Sequence, residues 1–276
     1  MKKASIYLLI FLLVSISTFA SATDTYYVIH LKGTATNKRT GKPIKVGDQI
    51  SSNDQVKFGS KDAVVVIMGS KGKFTLTPTV TDNNSSELVA FVQNALIPLK
   101  SNGHLSTRGA ESEKVIDLKG YFGTSKFFII GDKITIALDQ TKYPLSDKKM
   151  FIFRYIHKDT VVSKKVESNG NQITINKKTL YTIKGNYVDP EKISNVDLYY
   201  YNAETKSSIK IVNFIPHFIN EETLKEELKV QKNILKGQNL SSEQINKELL
   251  SFMSDVYGRT DEVLFNKWLK TNIYAE

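Results

Sequence analysis

Apolar residues recur with two different periods along this chain, and the change of period divides it. From Thr25 to about Leu76 short β-type runs alternate with turn signals. Tyr26 to Leu31 is β-branched and aromatic, and Thr40-Gly41-Lys42-Pro43 and Val46-Gly47-Asp48 mark turns. Ala63 to Met68 is a continuous apolar run ending at Gly69, which predicts a strand buried on both faces. Gly72 separates it from the alternating Lys73-Phe74-Thr75-Leu76, a hairpin pattern. Ser85-Ser86-Glu87 predicts the cap of a short helix with Leu88, Val92 and Leu96 on one face, ended by Pro98.

Residues 100–125 hold Gly103, Gly109, Gly120 and Gly123 among many polar side chains and show no sustained period, so a linker is expected there. Strands are expected over 126–130, 133–138, 150–156, 160–166, 171–175, 179–183, 196–201 and 208–214, with Asn169-Gly170-Asn171 as a hairpin turn. Phe151, Phe153 and Tyr155 alternate with Ile152 and Arg154, and Ile173 and Ile175 with Gln172 and Thr174. This spacing suits an Ig-like β-sandwich without the Cys–Trp–Cys core of antibody domains.

Pro216 is expected to close the β region, after which the period becomes helical. Asn220 predicts the cap of a helix with Leu224, Leu228, Gln231 and Leu235 on one face and Gly237 as its stop. Ser241 with Gln244 reads as a capping box ahead of Ile245, Leu249, Phe252, Met253 and Val256. Thr260-Asp261 starts a third stripe through Val263, Leu264, Trp268 and Leu269. Such stripes mark helices that pack on something.

The first 22 residues change the picture of where the protein works. Met1-Lys2-Lys3 is a cationic start, Ala4 to Ser17 an uncharged apolar run, and Ala20-Ser21-Ala22 a small-x-small cleavage site. That is a secretory signal, too short in its apolar part to span a bilayer. The mature chain is expected to start at Thr23, with no transmembrane segment after cleavage and a periplasmic or secreted location. The chain has no Cys, which excludes disulfides, thiolate metal sites, Cys nucleophiles and a lipid anchor on Cys. The pattern is that of a bacterial envelope protein held by core burial alone. The formal net charge of +10 is spread along the β-rich part rather than clustered, and no nucleic-acid motif accompanies it.

Gly33, Gly41-Lys42-Pro43-Ile44-Lys45-Val46-Gly47-Asp48, Asp54-Gln55-Val56, Gly59, Ala63-Val64-Val65-Val66 and Gly72 follow one another in order. That succession resembles the periplasmic β domain of FecR-type proteins, in which Gly-Asp and Asp-x-Val-x-x-Gly turns precede a buried strand. Gly47 and Gly59 are expected to supply positive φ in these turns. The resemblance implies an exported β module over residues 26–76. FecR proteins that control sigma factors resemble one another in carrying a cytoplasmic segment ahead of a membrane span. Only Met1-Lys2-Lys3 precedes the apolar run here, so an anti-sigma role is not expected.

Candidate chemistry is sparse. His30, His104, His157 and His217 stand far apart in sequence, the first and third in or beside strands and the other two in loops, so no metal-ligand spacing arises. Ser70-x-x-Lys73, Ser146-x-x-Lys149 and Ser207-x-x-Lys210 match a Ser-x-x-Lys pattern at the frequency chance supplies, without a Lys-Thr-Gly strand. Acidic residues are scattered through turns and helix surfaces, unlike a glycosidase pair. Asp82-Asn83-Asn84-Ser85 lacks the spacing of a calcium loop. Tyr199-Tyr200-Tyr201 sends Tyr199 and Tyr201 to one face of a strand and Tyr200 to the other.

The fold class expected is therefore mainly β. A signal peptide over 1–22 precedes a FecR-like β domain with a short helix over 23–99, a linker over 100–125, an Ig-like β-sandwich over 126–215 and a helical C-terminal region over 216–276. The expected function is that of a non-enzymatic, exported cell-envelope protein acting as a binding, adaptor or structural module. Its expected partner is another envelope protein. The alternative is a glycan or peptidoglycan binder using Tyr199 and Tyr201. No catalytic residue, cofactor, metal or nucleic-acid partner is expected.

Overall fold

Short runs of β-branched and aromatic residues in the first part of the chain yield strands, some buried on one face and some on both. The computed structural model describes residues 24–78, 89–92, 97–98 and 114–275, so the signal segment, His104 and Asp82 to Ser85 lie outside the described residues. The protein is mainly β, with helices gathered at its C-terminal end. It divides into two compact units, Met1–Pro98 and Leu99–Glu276.

In the first unit, β1 (Thr25–Lys32), β2 (Ala35–Asn37), β3 (Gln49–Ser51), β4 (Gln55–Phe58), β5 (Val64–Gly69), β6 (Gly72–Leu76), β7 (Val89–Phe91) and β8 (Ile97–Pro98) form two antiparallel sheets. Their orders are β3-β1-β5-β6-β8 and β2-β4-β7. Tyr26, Val28, Ile50, Val56, Phe58, Val65, Ile67 and Leu76 make one core between them, and Val66 and Met68 are buried as well, so both faces of β5 are covered. The helix expected after residue 85 is not what Val89 to Phe91 adopt: β7 spends its backbone in a ladder with β4, and Ile97–Pro98 pairs with β6. Ser85 to Leu88 and Leu96 lie outside the described residues.

The turn residues act in two ways. Gly47 has φ of 92°, the left-handed conformation expected of it. Gly59 does not have positive φ; a Cβ there would run into the Thr34 side chain, so close approach rather than backbone freedom requires glycine. Between them Asp54 is almost fully buried. Its carboxylate accepts from Arg39 Nε (2.5 Å), Asn37 Nδ2 (2.9 Å) and the Ser51 amide (3.0 Å).

The second unit is a sandwich with a helical cover. Its strands are β9 (Lys126–Ile130), β10 (Lys133–Ala137), β11 (Lys149–His157), β12 (Thr160–Lys165), β13 (Glu167–Asn169), β14 (Gln172–Asn176), β15 (Thr182–Ile183), β16 (Asn186–Tyr187), β17 (Val196–Asn202) and β18 (Ser207–Ile219). Its helices are α1 (Leu118–Phe122), α2 (Lys177–Leu180), α3 (Glu221–Gly237), α4 (Ser242–Val256) and α5 (Glu262–Asn272). One sheet has the order β10-β14-β13 and a second β12-β11-β17-β18-β9, with β18 and β9 parallel, while β15 and β16 form a separate two-stranded pair. Ile134, Ile136, Ile173 and Ile175 of the first sheet share one core with Phe151, Phe153, Leu198 and Phe214 of the second.

Four expectations change here. Residues 114–125 are not a linker: Val115 bridges Leu138, and Leu118, Tyr121 and Phe122 of α1 are buried, Phe122 stacking on Phe214 at 4.3 Å. Glycine and polar neighbours dilute that apolar triplet in the sequence. The strand expected over 179–183 is cut back to β15 at Thr182–Ile183, because the Asn176 side chain accepts from the Lys178 and Thr179 amides and starts a helical turn, α2, that takes Thr179 and Leu180. Pro216 does not end the β region; it lies inside β18. Alternate residues bond β9, as Ile215 N–H to Ser125 and Gly131 N–H to the Ile219 carbonyl show. The Pro216 nitrogen therefore faces away from β9, beyond the last β17 pair at Val196–Phe214, and no ladder bond is lost. Finally, α3 runs through Gly237, and the left-handed residue after it is Asn239 (φ 59°).

The helices pack on the outer side of β9 and the far end of β18 rather than standing apart. Phe128 meets Phe265 edge-on at 6.0 Å and Tyr257 at 6.3 Å, and His217, in β18 and not in a loop, stacks on Tyr257 at 5.9 Å. Arg259 adds a parallel bridge beside Phe127. Asp261 caps α5 through the Leu264 amide (3.0 Å), while its other oxygen accepts from the Tyr121 hydroxyl (2.8 Å). Below these, Tyr257 donates to the buried Glu227 carboxylate at 2.7 Å.

Two outcomes follow from these buried carboxylates. Hydrogen bonding from Arg39 is the largest of the influences that hold Asp54 below the usual carboxylate range. The stability it contributes is therefore in place above about pH 4, the ordinary Asp value, and is lost as pH falls through its depressed folded value. Asp54→Ala should destabilise the first unit by about 2–3 kcal/mol at neutral pH, with a flatter stability profile below pH ~4, measured by urea unfolding at several pH values. Tyr121→Phe removes a donor from a buried carboxylate and should cost the second unit about 1.5–3 kcal/mol in the same measurement.

Candidate binding surface

The five-stranded sheet has an inner face filled by the core and an outer face divided in two. Helices cover the part made by β9 and the end of β18. Over β11, β12 and β17 no described element covers it, and strand alternation places Met150, Ile152, Arg154 and Ile156 of β11 there. Register brings Val161, Ser163 and Lys165 of β12 beside Ile156, Arg154 and Ile152. Tyr199 of β17 lies opposite Ile152 and Tyr201 opposite Met150. Ile156 is 65% exposed and Val161 49%, while Ile152, Tyr199 and Tyr201 are half-buried.

The tyrosine run divides as strand geometry requires. Tyr199 and Tyr201 share the outer face, about 7 Å apart along the strand. Tyr200 turns inward, packs on Phe151 at 5.2 Å and Tyr143 at 6.0 Å, and donates its hydroxyl to the Pro144 carbonyl at 2.5 Å. Burial pushes its hydroxyl pKa up. The Tyr199 ring lies under the Arg154 guanidinium, 5.8 Å from its centroid.

Charge on this face is anchored at Asp197. Desolvation works against its ionisation, but hydrogen bonds from Lys210 (2.6 Å) and Asn213 (2.6 Å) prevail and hold it below the usual carboxylate range. The same contact pushes Lys210 up. Asp197 is thus neutralised in place, and Arg154 and Lys165 leave the exposed part basic.

Other candidate chemistry does not converge. Ser146 Oγ accepts from the Lys148 and Lys149 amides in a turn, Ser70 lies between β5 and β6, and Ser207 begins β18. His30 is buried in β1, His157 ends β11 and His217 stacks on Tyr257. Among the described residues no three His, Cys, Asp or Glu side chains are placed to hold a metal ion, and no helix is long and apolar enough to cross a membrane. An open hollow of about 640 Å³ lies beside Asp147, Lys165 and Glu167.

Sequence reasoning reached Tyr199 and Tyr201 but passed over Ile156, Val161 and Arg154. A signal was present: β11 carries apolar residues at both phases, Met150, Ile152 and Ile156 as well as Phe151, Phe153 and Tyr155. The hairpin that carries Ile156 and Val161 turns through Lys158 (φ 47°) and Asp159 (φ 60°), two adjacent non-glycine residues in the left-handed region. Lys158→Asn with Asp159→Gly supplies the residues such a turn prefers and should raise the second unit's stability by about 1 kcal/mol, read as a higher urea midpoint at unchanged slope. No protein-family model and no curated protein matches the chain.

Proposed function

We propose that this is a non-enzymatic, exported envelope protein that binds another envelope protein through the outer face of β11, β12 and β17. The carrying observation is the contrast within one sheet face. Where β9 and β18 present Phe128 and His217, the chain supplies its own helical cover; where β11, β12 and β17 present Ile152, Ile156, Val161, Tyr199 and Tyr201, it supplies none among the described residues. Exposed apolar and aromatic side chains interspersed with charged ones are what partner docking uses.

The finer architecture belongs to the same reading. The first unit is taken as a FecR-like β domain because its Gly-Asp and Asp-x-Val turns precede a buried strand. The second is taken as Ig-like. Its sheets β10-β14-β13 and β12-β11-β17-β18 follow the B-E-D and C′-C-F-G orders of a variable-type sandwich, with β9 as the first strand beside G. Export rests on residues 1–22.

A photocrosslinking residue placed at Ile156 or Tyr201 in native cells should trap one dominant envelope protein, and one at Lys178 should not. Tyr201→Ala should weaken that capture about tenfold, the scale of an aromatic anchor. Crosslinks at all three positions alike, or at none, would sink the reading. Wild-type protein pelleting with purified cell wall, lost in Tyr199→Ala and Tyr201→Ala, would instead favour a glycan ligand.

A further inference from the structure

The edges of the second unit's sheets are treated unequally. The outer side of β9 is bridged by Arg259, β10 is bridged by Val115 through Leu138, and β13 is only three residues long. The six-residue β12 has no strand on its far side among the described residues. Sheet edges left open in this way are templates for added strands.

The two-residue turn at Lys158 and Asp159 fixes which groups face that edge. It makes His157 and Thr160 a hydrogen-bonded pair, so Thr160, Val162 and Lys164 direct their amides and carbonyls to β11. Val161, Ser163 and Lys165 direct theirs outward. The side chains of the same three residues stand on the bare outer face beside Ile156, Arg154 and Ile152. Between residues 149 and 165 the hairpin carries Lys149, Arg154, Lys158, Lys164 and Lys165 against Asp159 alone.

We propose that the free edge of β12 takes up an extended, acidic segment of a partner protein as an added strand. Main-chain bonds to Val161, Ser163 and Lys165 supply the pairing, an apolar side chain of the segment lies against Val161 and Ile156, and its carboxylates meet Lys165 and Arg154. Pairing with a second copy would bring two such basic hairpins together, which charge opposes. This inference rests on the binding role proposed above and names its mode and the partner's chemistry.

The test uses the full chain and a short peptide alternating valine and glutamate, beside the same peptide with lysine for glutamate. Amide exchange followed by NMR should show the acidic peptide protecting Val161, Ser163 and Lys165 while leaving Val162 and Lys164 as they were. The lysine peptide should give no such alternation, and binding should weaken at least about tenfold as salt is raised past the screening range. Ser163→Pro removes an outward amide without touching the β11 ladder and should abolish protection with the fold intact. If that variant unfolds, Lys165→Glu provides the second arm and should reverse the preference between the peptides. Unchanged exchange with either peptide would overturn the proposal, as would protection that grows with protein concentration alone, the mark of a second copy. A partner trapped at Tyr201 in cells with these amides unprotected leaves the binding role standing and overturns strand addition. Alternating protection with no partner trapped in cells supports the edge chemistry and removes the binding role.

Discussion

The hydrogen bond from Tyr121 to Asp261 joins residues 140 positions apart and decides how the second unit is finished. Asp261 is wholly buried and also caps α5, so its carboxylate ties the helical cover to the short helix that closes the sandwich core. A buried carboxylate without donors is costly, and α1 and α5 each supply one to this carboxylate. With both in place, Tyr257 and Phe265 close over Phe128 of β9, and Arg259 bridges its edge. The division of the sheet face into a covered half and a bare half is a consequence of that placement.

Much of the architecture was legible because most strands here bury one face and so alternate. The strand expected over 196–201 stands at Val196–Asn202, and the Asn220 cap and the Ser241–Gln244 capping box stand where alternation and cap chemistry put them. What was hidden depends on long-range contacts. Nothing local marks Tyr121 as a partner of Asp261, and Gly120 and Gly123 beside it disguise a core helix as a linker. Pro216 reads as a breaker because its loss of an amide is a local fact, whereas the absence of a neighbouring strand on that side is a tertiary one. In the candidate surface, the tyrosine alternation was readable. The importance of Arg154, Ile156 and Val161 was not, since it follows from which strand ends up at the edge.

The electrostatics of the two units differ in kind. In the first, Asp54 is held by three donors and Arg39 lies over it, so the charge serves turn geometry. In the second, Asp197 stands opposite Arg154 in the register and is held by Lys210 and Asn213 on the same sheet face. A scattered excess of positive charge in the sequence becomes local at one hairpin, although no run of basic residues announces it.

The parallel pairing of β9 with β18 bears on mechanical load. β9 is the first strand of the second unit and β18 the last, and the pairs run from Ile215–Lys126 to Ile219–Ile130. Tension applied at Lys126 and at Ile219 pulls the two strands past each other along their length. The bonds of the ladder then share the load together, whereas an antiparallel hairpin pulled at its open end yields one bond at a time.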